Sequence, residues 1–146
     1  MSTNTLSDNY LMQGASADDV AQVHAISEVR DYAGGDILVS ARGSDQDIMV
    51  ILEGKVRVES PQGDLIHEFR EGAMIGEIAF LDGQSRTANV VAMGPSKVLV
   101  IPANKLKALL VERPSLGLAI YRNASIALSQ RLREANQQIE SLMVPR

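Results

Sequence analysis

Short apolar stretches separated by glycine- or proline-bearing turns fill residues 36–101, and this rhythm constrains the fold more than any other feature. The stretches are Asp36 to Ser40, Asp47 to Leu52, Lys55 to Glu59, Asp64 to Phe69, Thr87 to Ala92 and Lys97 to Ile101. Valine and isoleucine dominate them, and Val56 and Val58 alternate with charged neighbours. β-branched side chains fit a pleated, half-buried surface and lose freedom in a helix. The breaks fall at Gly34-Gly35, Gly43, Gly54, Pro61-Gln62-Gly63, Gly72, Asp82-Gly83 and Gly94-Pro95, each suited to a turn. Strands this short and this evenly spaced predict a mainly β architecture, a barrel or a sandwich.

The period changes at Pro102, a residue suited to a first helical turn. Leu106, Leu109 and Leu110 follow on one side. Arg113-Pro114-Ser115 breaks that helix and starts a long one, from about Ser115 to Met143. Its apolar positions Leu128, Leu132, Ala135, Ile139 and Leu142 are spaced 4, 3, 4, 3, a heptad seam. Two partners suit such a seam: the chain's own barrel or a second copy of the chain, and the two halves of the helix can serve one each. Near the other end, Ser16 can cap a short helix, and Asp18 and Asp19 suit its positive end. Residues 1–15 are polar and read as a flexible tail. The expected organisation is therefore a domain over 16–146, with a barrel over about 30–101 and C-terminal helices over about 102–143.

Composition narrows the function. The chain has 146 residues, enough for one domain, and 45% are hydrophobic but only 3% aromatic, so the core is aliphatic. A net charge of -4 argues against broad nucleic-acid binding, which needs a basic stripe. The absence of cysteine excludes disulfides and thiolate metal sites. Two histidines, His24 and His67, are too few for most histidine-rich metal centres, and His67 reads as a barrel residue. The first residues lack the apolar region of a secretion signal. No apolar run approaches the roughly 18 residues of a membrane helix. The expectation is a cytoplasmic protein with no metal and no membrane contact.

Residues 76–88, GEIAFLDGQSRTA, hold the densest chemistry. Gly76 lets backbone approach a ligand closely. Ile78, Ala79 and Phe80 can form one helical turn, whose leading N–H groups attract an anion. Arg86 follows the Asp82-Gly83 reversal, so the loop can return a guanidinium over those same groups. A guanidinium fork with backbone donors suits a phosphate having two free oxygens, and a cyclic phosphodiester is such a group. Glu77 suits an acceptor for a ribose hydroxyl on the far side of the same ligand. Thr87 adds a hydroxyl and Ala88 a small side chain.

This string resembles the phosphate-binding cassette of the cyclic nucleotide-binding domain family, the type found in catabolite activator proteins and cyclic-nucleotide-dependent kinases. The cassette runs Gly-Glu, a small apolar pair, a variable loop, then Arg-Thr/Ser/Ala-Ala. Tyr32-Ala33-Gly34-Gly35-Asp36 resembles the family's early turn, and Met49 to Val56 its central strand and glycine turn. Ile75 departs from the phenylalanine common before Gly-Glu, which alters packing only. The resemblance covers roughly residues 20–140. It implies a double-stranded β-helix, or jelly roll, with a short N-terminal and a long C-terminal helix.

Residue by residue, the resemblance implies that Glu77 accepts from the ribose 2′-hydroxyl. Arg86 then pairs with the cyclic phosphate, which the N–H groups of Ile78, Ala79 and Ala88 also reach. Thr87 touches the phosphate and can touch a guanine amino group, without deciding between cyclic AMP and cyclic GMP. Arg131 resembles a residue that supports the glutamate, and Ala135 and Asn136 fall at base-contacting positions. The ligand is cyclic AMP or cyclic GMP, and the chain is a sensor without catalysis, acting as a homodimer or on a separate, unidentified protein. No DNA-reading helix follows the long helix before Arg146, so direct DNA binding is not expected. The alternatives are a repurposed member of the same fold that senses another ligand or only dimerises, and a cupin-type metal enzyme, for which clustered histidines are missing.

Overall fold

The structure, a computed structural model, describes residue 6, residues 8–84 and residues 86–143. A 3-10 turn (Tyr10–Met12) precedes α1 (Ala17–Ile26). Then come β1 (Glu28–Tyr32), β2 (Ile37–Val39), β3 (Ile48–Glu53), β4 (Val56–Glu59), β5 (Leu65–Phe69) and β6 (Met74–Ile75). The chain continues through α2 (Glu77–Asp82), β7 (Asn89–Ala92), β8 (Ser96–Ile101), α3 (Ala103–Glu112) and α4 (Pro114–Met143). The strands form two four-stranded antiparallel sheets, ordered β1-β8-β3-β6 and β2-β7-β4-β5. This is the jelly-roll architecture that the family resemblance implies, within the mainly β class that the turn rhythm predicts.

β3 and β8 explain the layering. Both are apolar on both faces, the signature of a strand covered twice. Met49, Ile51, Val98 and Val100 pack between the sheets with Val39, Val56, Ile75 and Val90. The intervening residues Ile48, Val50, Leu99 and Ile101 face the other way, onto Val20 and Val23 of α1, Leu106 of α3 and Leu116 and Ile120 of α4. Every helix that packs on the barrel thus leans on the sheet that contains β3. Between β3 and β4 the chain turns at Gly54 (φ 94°), where a Cβ would come within 2.5 Å of Ser96 Oγ.

Local signals hold at the helix starts. The Ser16 side chain accepts from the Asp19 N–H, and Pro102 stands just before α3. β1 and β6 carry no apolar run to announce them: β1 reads EVRDY on a sheet edge, and β6 is two residues long.

The tail expected over residues 1–15 is overturned for the described part of it. Leu6, Leu11 and Met12 are buried in the core beneath α4. Two Asn123 Nδ2 hydrogen bonds, to the carbonyls of Leu11 (2.9 Å) and Gln13 (2.8 Å), anchor the turn. The polar average of the segment hid three core side chains. Among the described residues no helix is long and apolar enough to cross a membrane. Leu11→Ala is expected to destabilise the fold by about 2–5 kcal/mol, as for a buried leucine. Urea denaturation measures this; a midpoint equal to that of the unaltered chain would mean that the turn is only lightly docked.

Candidate functional site

Gly76 sets the geometry of the segment. It lies at φ 89°, a left-handed conformation that L side chains rarely adopt, and caps α2. A Cβ there would stand 2.6 Å from Arg86 Nη1 and 2.6 Å from the Asp47 carbonyl oxygen. Glycine is thus required twice, for the turn and for the guanidinium beside it. Gly83 ends α2, also left-handed, and donates to the Ala79 carbonyl at 2.9 Å. The first intrahelical bond of α2 runs from Phe80 N–H to the Gly76 carbonyl, so the N–H groups of Ile78 and Ala79 precede the helical ladder.

Arg86 returns over this turn with its side chain 3% exposed. Nη1 donates to the Gly76 carbonyl at 3.0 Å. Nη2 donates to Asp45 Oδ1 at 2.6 Å and to the Asp47 carbonyl at 2.7 Å. Nε is buried and has no hydrogen-bond partner among the described residues. Backbone bonds tie the same residue to the loop before β3: Arg42 N–H to the Arg86 carbonyl at 2.8 Å, and Arg86 N–H to the Gly43 carbonyl at 3.3 Å. Asp47 also accepts from the Ala103 N–H through Oδ1 at 2.8 Å, capping α3. The guanidinium therefore shares a residue with the start of a helix.

Glu77 is the second buried charge, its side chain 6% exposed. Arg131 of α4 donates to Glu77 Oε1 from Nη1 at 3.0 Å, and is itself 46% exposed. This ion pair joins the cassette to the long helix.

Both charges line a cavity of about 330 Å³, within the usual range for small-molecule sites. Gly76, Glu77, Ile78, Ala79, Arg86, Thr87, Ala88 and Arg131 all border it. The opposite wall is apolar, built by Val39, Val58, Phe69 and Val90 from the sheet that contains β5. Polar anchors at one side and an aliphatic wall at the other suit an amphipathic ligand. Ala135 and Asn136 do not border the cavity; they lie exposed on α4 beyond Arg131.

His67, read from sequence as a barrel residue, does border the cavity from β5, edge-to-face with Phe69 at 4.5 Å between centroids. Asp45 was also invisible in the sequence. It lies 41 residues from Arg86, and no local pattern links the two. Among the described residues no cluster of three or more metal-ligating side chains occurs.

Gly76→Ala is expected to destabilise the fold by at least about 1–3 kcal/mol, the cost of a strained backbone position, and to displace the guanidinium. Denaturant unfolding would register the loss, and unchanged stability would show that the turn relaxes to accept a side chain.

Known proteins resemble this chain in sequence and in fold. Glutaminase 1 of Bradyrhizobium diazoefficiens is 28% identical over 140 residues, which cover 96% of this chain and 23% of that protein. The cGMP-dependent protein kinase, isozyme 1, of Drosophila melanogaster is 25% identical over 137 residues, 89% of this chain and 18% of the kinase. The chain thus spans less than a quarter of the length of either curated relative. A cyclic nucleotide-binding domain from Methylobacillus flagellatus KT superposes with a TM-score of 0.81 at 22% identity, covering 99% of this chain and 85% of that one. The family model for the cyclic nucleotide-binding domain matches residues 29–113, more than half of the chain. The chain belongs to the cyclic nucleotide-binding domain family.

Proposed function

We propose that this domain senses cyclic AMP or cyclic GMP, with the cyclic phosphate held by Arg86 and the ribose 2′-hydroxyl accepted by Glu77. The observation that carries the reading is the Arg86 guanidinium, buried at the wall of a cavity of about 330 Å³ beside the start of α2. Its present carboxylate partner, Asp45, is half exposed, its side chain 49% accessible. A phosphate oxygen can replace that carboxylate at no change in the charge of the pair. The unpartnered Nε offers a further donor. The N–H groups of Ile78, Ala79 and Ala88 would complete the cradle, and Thr87 would add its hydroxyl.

Arg131 supplies the route from ligand to helix. It pairs with Glu77 from α4, so a hydroxyl arriving at Glu77 bears directly on that helix. Ligand binding would draw the distal part of α4 over the base and bring Ala135 and Asn136 toward it. The shift is a population change, limited by the ligand's differential affinity for the two arrangements. The second half of α4 supports this role, because residues 129–143 are all exposed. Leu132, Ile139 and Leu142 stand 62%, 52% and 85% accessible there, an apolar seam suited to a second copy of the chain. The signal then passes through the dimer or to a separate protein, with no catalysis by this domain.

Arg86→Ala leaves a desolvated phosphate without its cation. Isothermal titration with cyclic AMP and cyclic GMP is expected to show a loss of about 3–5 kcal/mol for whichever nucleotide the unaltered chain prefers. Affinity equal to that of the unaltered chain removes the assigned role. For the seam, sedimentation is expected to give a dimer that Ile139→Asp converts to monomer. An unaltered chain that sediments as a monomer at micromolar concentration, with and without nucleotide, rules out the second copy.

A further inference from the structure

No cation at the cavity is left over. Among the described residues two guanidiniums and no lysine border it, those of Arg86 and Arg131. Each already faces a carboxylate: Asp45 Oδ1 stands 2.6 Å from Arg86 Nη2, and Glu77 Oε1 stands 3.0 Å from Arg131 Nη1. A further carboxylate, Asp82, borders the cavity and is exposed. It accepts the Gln84 N–H at 2.8 Å and has no cationic partner among the described residues. The Asp47 carboxylate is spent on the start of α3.

Asp45 is held where it stands. Its Oδ1 also accepts from the Asp47 N–H at 3.3 Å. The loop that carries it is tied to Arg86 by two backbone bonds, Arg42 N–H to the Arg86 carbonyl and Arg86 N–H to the Gly43 carbonyl. The Ala41 N–H donates to Asn89 Oδ1 at 2.7 Å, a third tie to the segment beyond the cassette. The carboxylate can swing off the guanidinium, but the backbone keeps its charge near the cavity, inside a screening length of about 8 Å.

We propose that Asp45 is a specificity-determining residue that sets the charge of the phosphate the cavity takes: it admits a singly charged phosphodiester and disfavours a doubly charged phosphomonoester. This rests on the reading that Arg86 holds the ligand phosphate. A diester brings one negative charge to Arg86 and exchanges evenly for the carboxylate. A monoester brings nearly two at neutral pH, and the surplus faces Asp45 and Asp82 with no cation to meet it. The distinction separates a cyclic nucleotide from its own hydrolysis product. Water opening the ring breaks one P–O bond and leaves a monoester with the same base and sugar, so a cavity selective for charge empties when the ring is opened.

The test titrates the full chain and Asp45→Asn at pH 8 with cyclic AMP and cyclic GMP. For the preferred base it adds the nucleoside 5′-monophosphate and its methyl ester, a linear but singly charged phosphate, with thermal melting alongside. In the unaltered chain the methyl ester is expected to bind at least about threefold more tightly than the smaller monophosphate, the scale of one partly exposed charge. Asp45→Asn keeps an oxygen for Nη2 and removes the charge. It is expected to tighten the cyclic nucleotide about threefold and the monophosphate about tenfold, because a dianion feels the lost charge twice. Should Asp45→Asn melt below the assay temperature, the ester comparison in the unaltered chain decides. A methyl ester that binds no better than the monophosphate overturns the proposal and leaves the binding reading standing. So do equal gains for the two charges in Asp45→Asn, or no gain at all. An unaltered chain that binds neither cyclic nucleotide overturns both.

Discussion

A cation held out of water dictates most of the site. Burying a guanidinium is costly unless its donors are met. Arg86 meets its terminal donors with one carboxylate and two backbone carbonyls, those of Gly76 and Asp47. Each partner constrains its own segment. Gly76 must be glycine, since a Cβ would collide with Nη1. Asp47 must present its carbonyl inward while its carboxylate caps α3. The loop before β3, the cassette and the first C-terminal helix are thereby tied to one side chain. Arg86 and the start of α3, a helix outside the cavity, thus share Asp47 as a partner.

The doubly covered strands make that tie effective. β3 and β8 alternate between the inter-sheet core and the helical layer, so neither layer can slide without disturbing the other. Close-packed interiors transmit displacement and do not absorb it. α4 is anchored to this block only through its first part, at Leu116, Ile120, Asn123 and Ala124. Beyond residue 128 the helix carries no buried residue, and Glu77 holds it through Arg131 alone among the recorded ion pairs. The half of α4 beyond residue 128 is thus the half with least packing, the kind of element that opens at low cost.

How much of this is legible in the sequence follows from the range of each interaction. Turns, caps and strand runs are local, so the positions of β2, β3, β4, β5, β7 and β8, the Ser16 cap and the break at Pro114 follow from residue types alone. The Gly76 to Ala88 string is contiguous, so its convergence on one cavity is legible too. β1 is not, because a charged edge strand has no apolar alternation to betray it. Asp45 and His67 reach the site from elsewhere in the chain, and only the folded topology brings them there. The buried turn at Leu11 was masked by its polar neighbours, since composition averages over residues that burial treats one by one.

The electrostatic balance around Arg86 keeps a buried cation compatible with the fold. Asp45 neutralises the guanidinium from a half-exposed position, so it returns to water easily when displaced. On the proposed reading, a phosphate taking its place would exchange one anion for another, with a small net gain from Coulomb attraction alone. Discrimination would then come from what the carboxylate does not satisfy: the Nε without a partner among the described residues, the N–H groups at the start of α2 and the aliphatic side of the cavity. Those features favour a compact anion with an apolar body over a bare phosphate, which has the charge but leaves the wall wet. On the proposed reading, the same exchange would free Asp45 on the loop that leads, through Asp47, to α3.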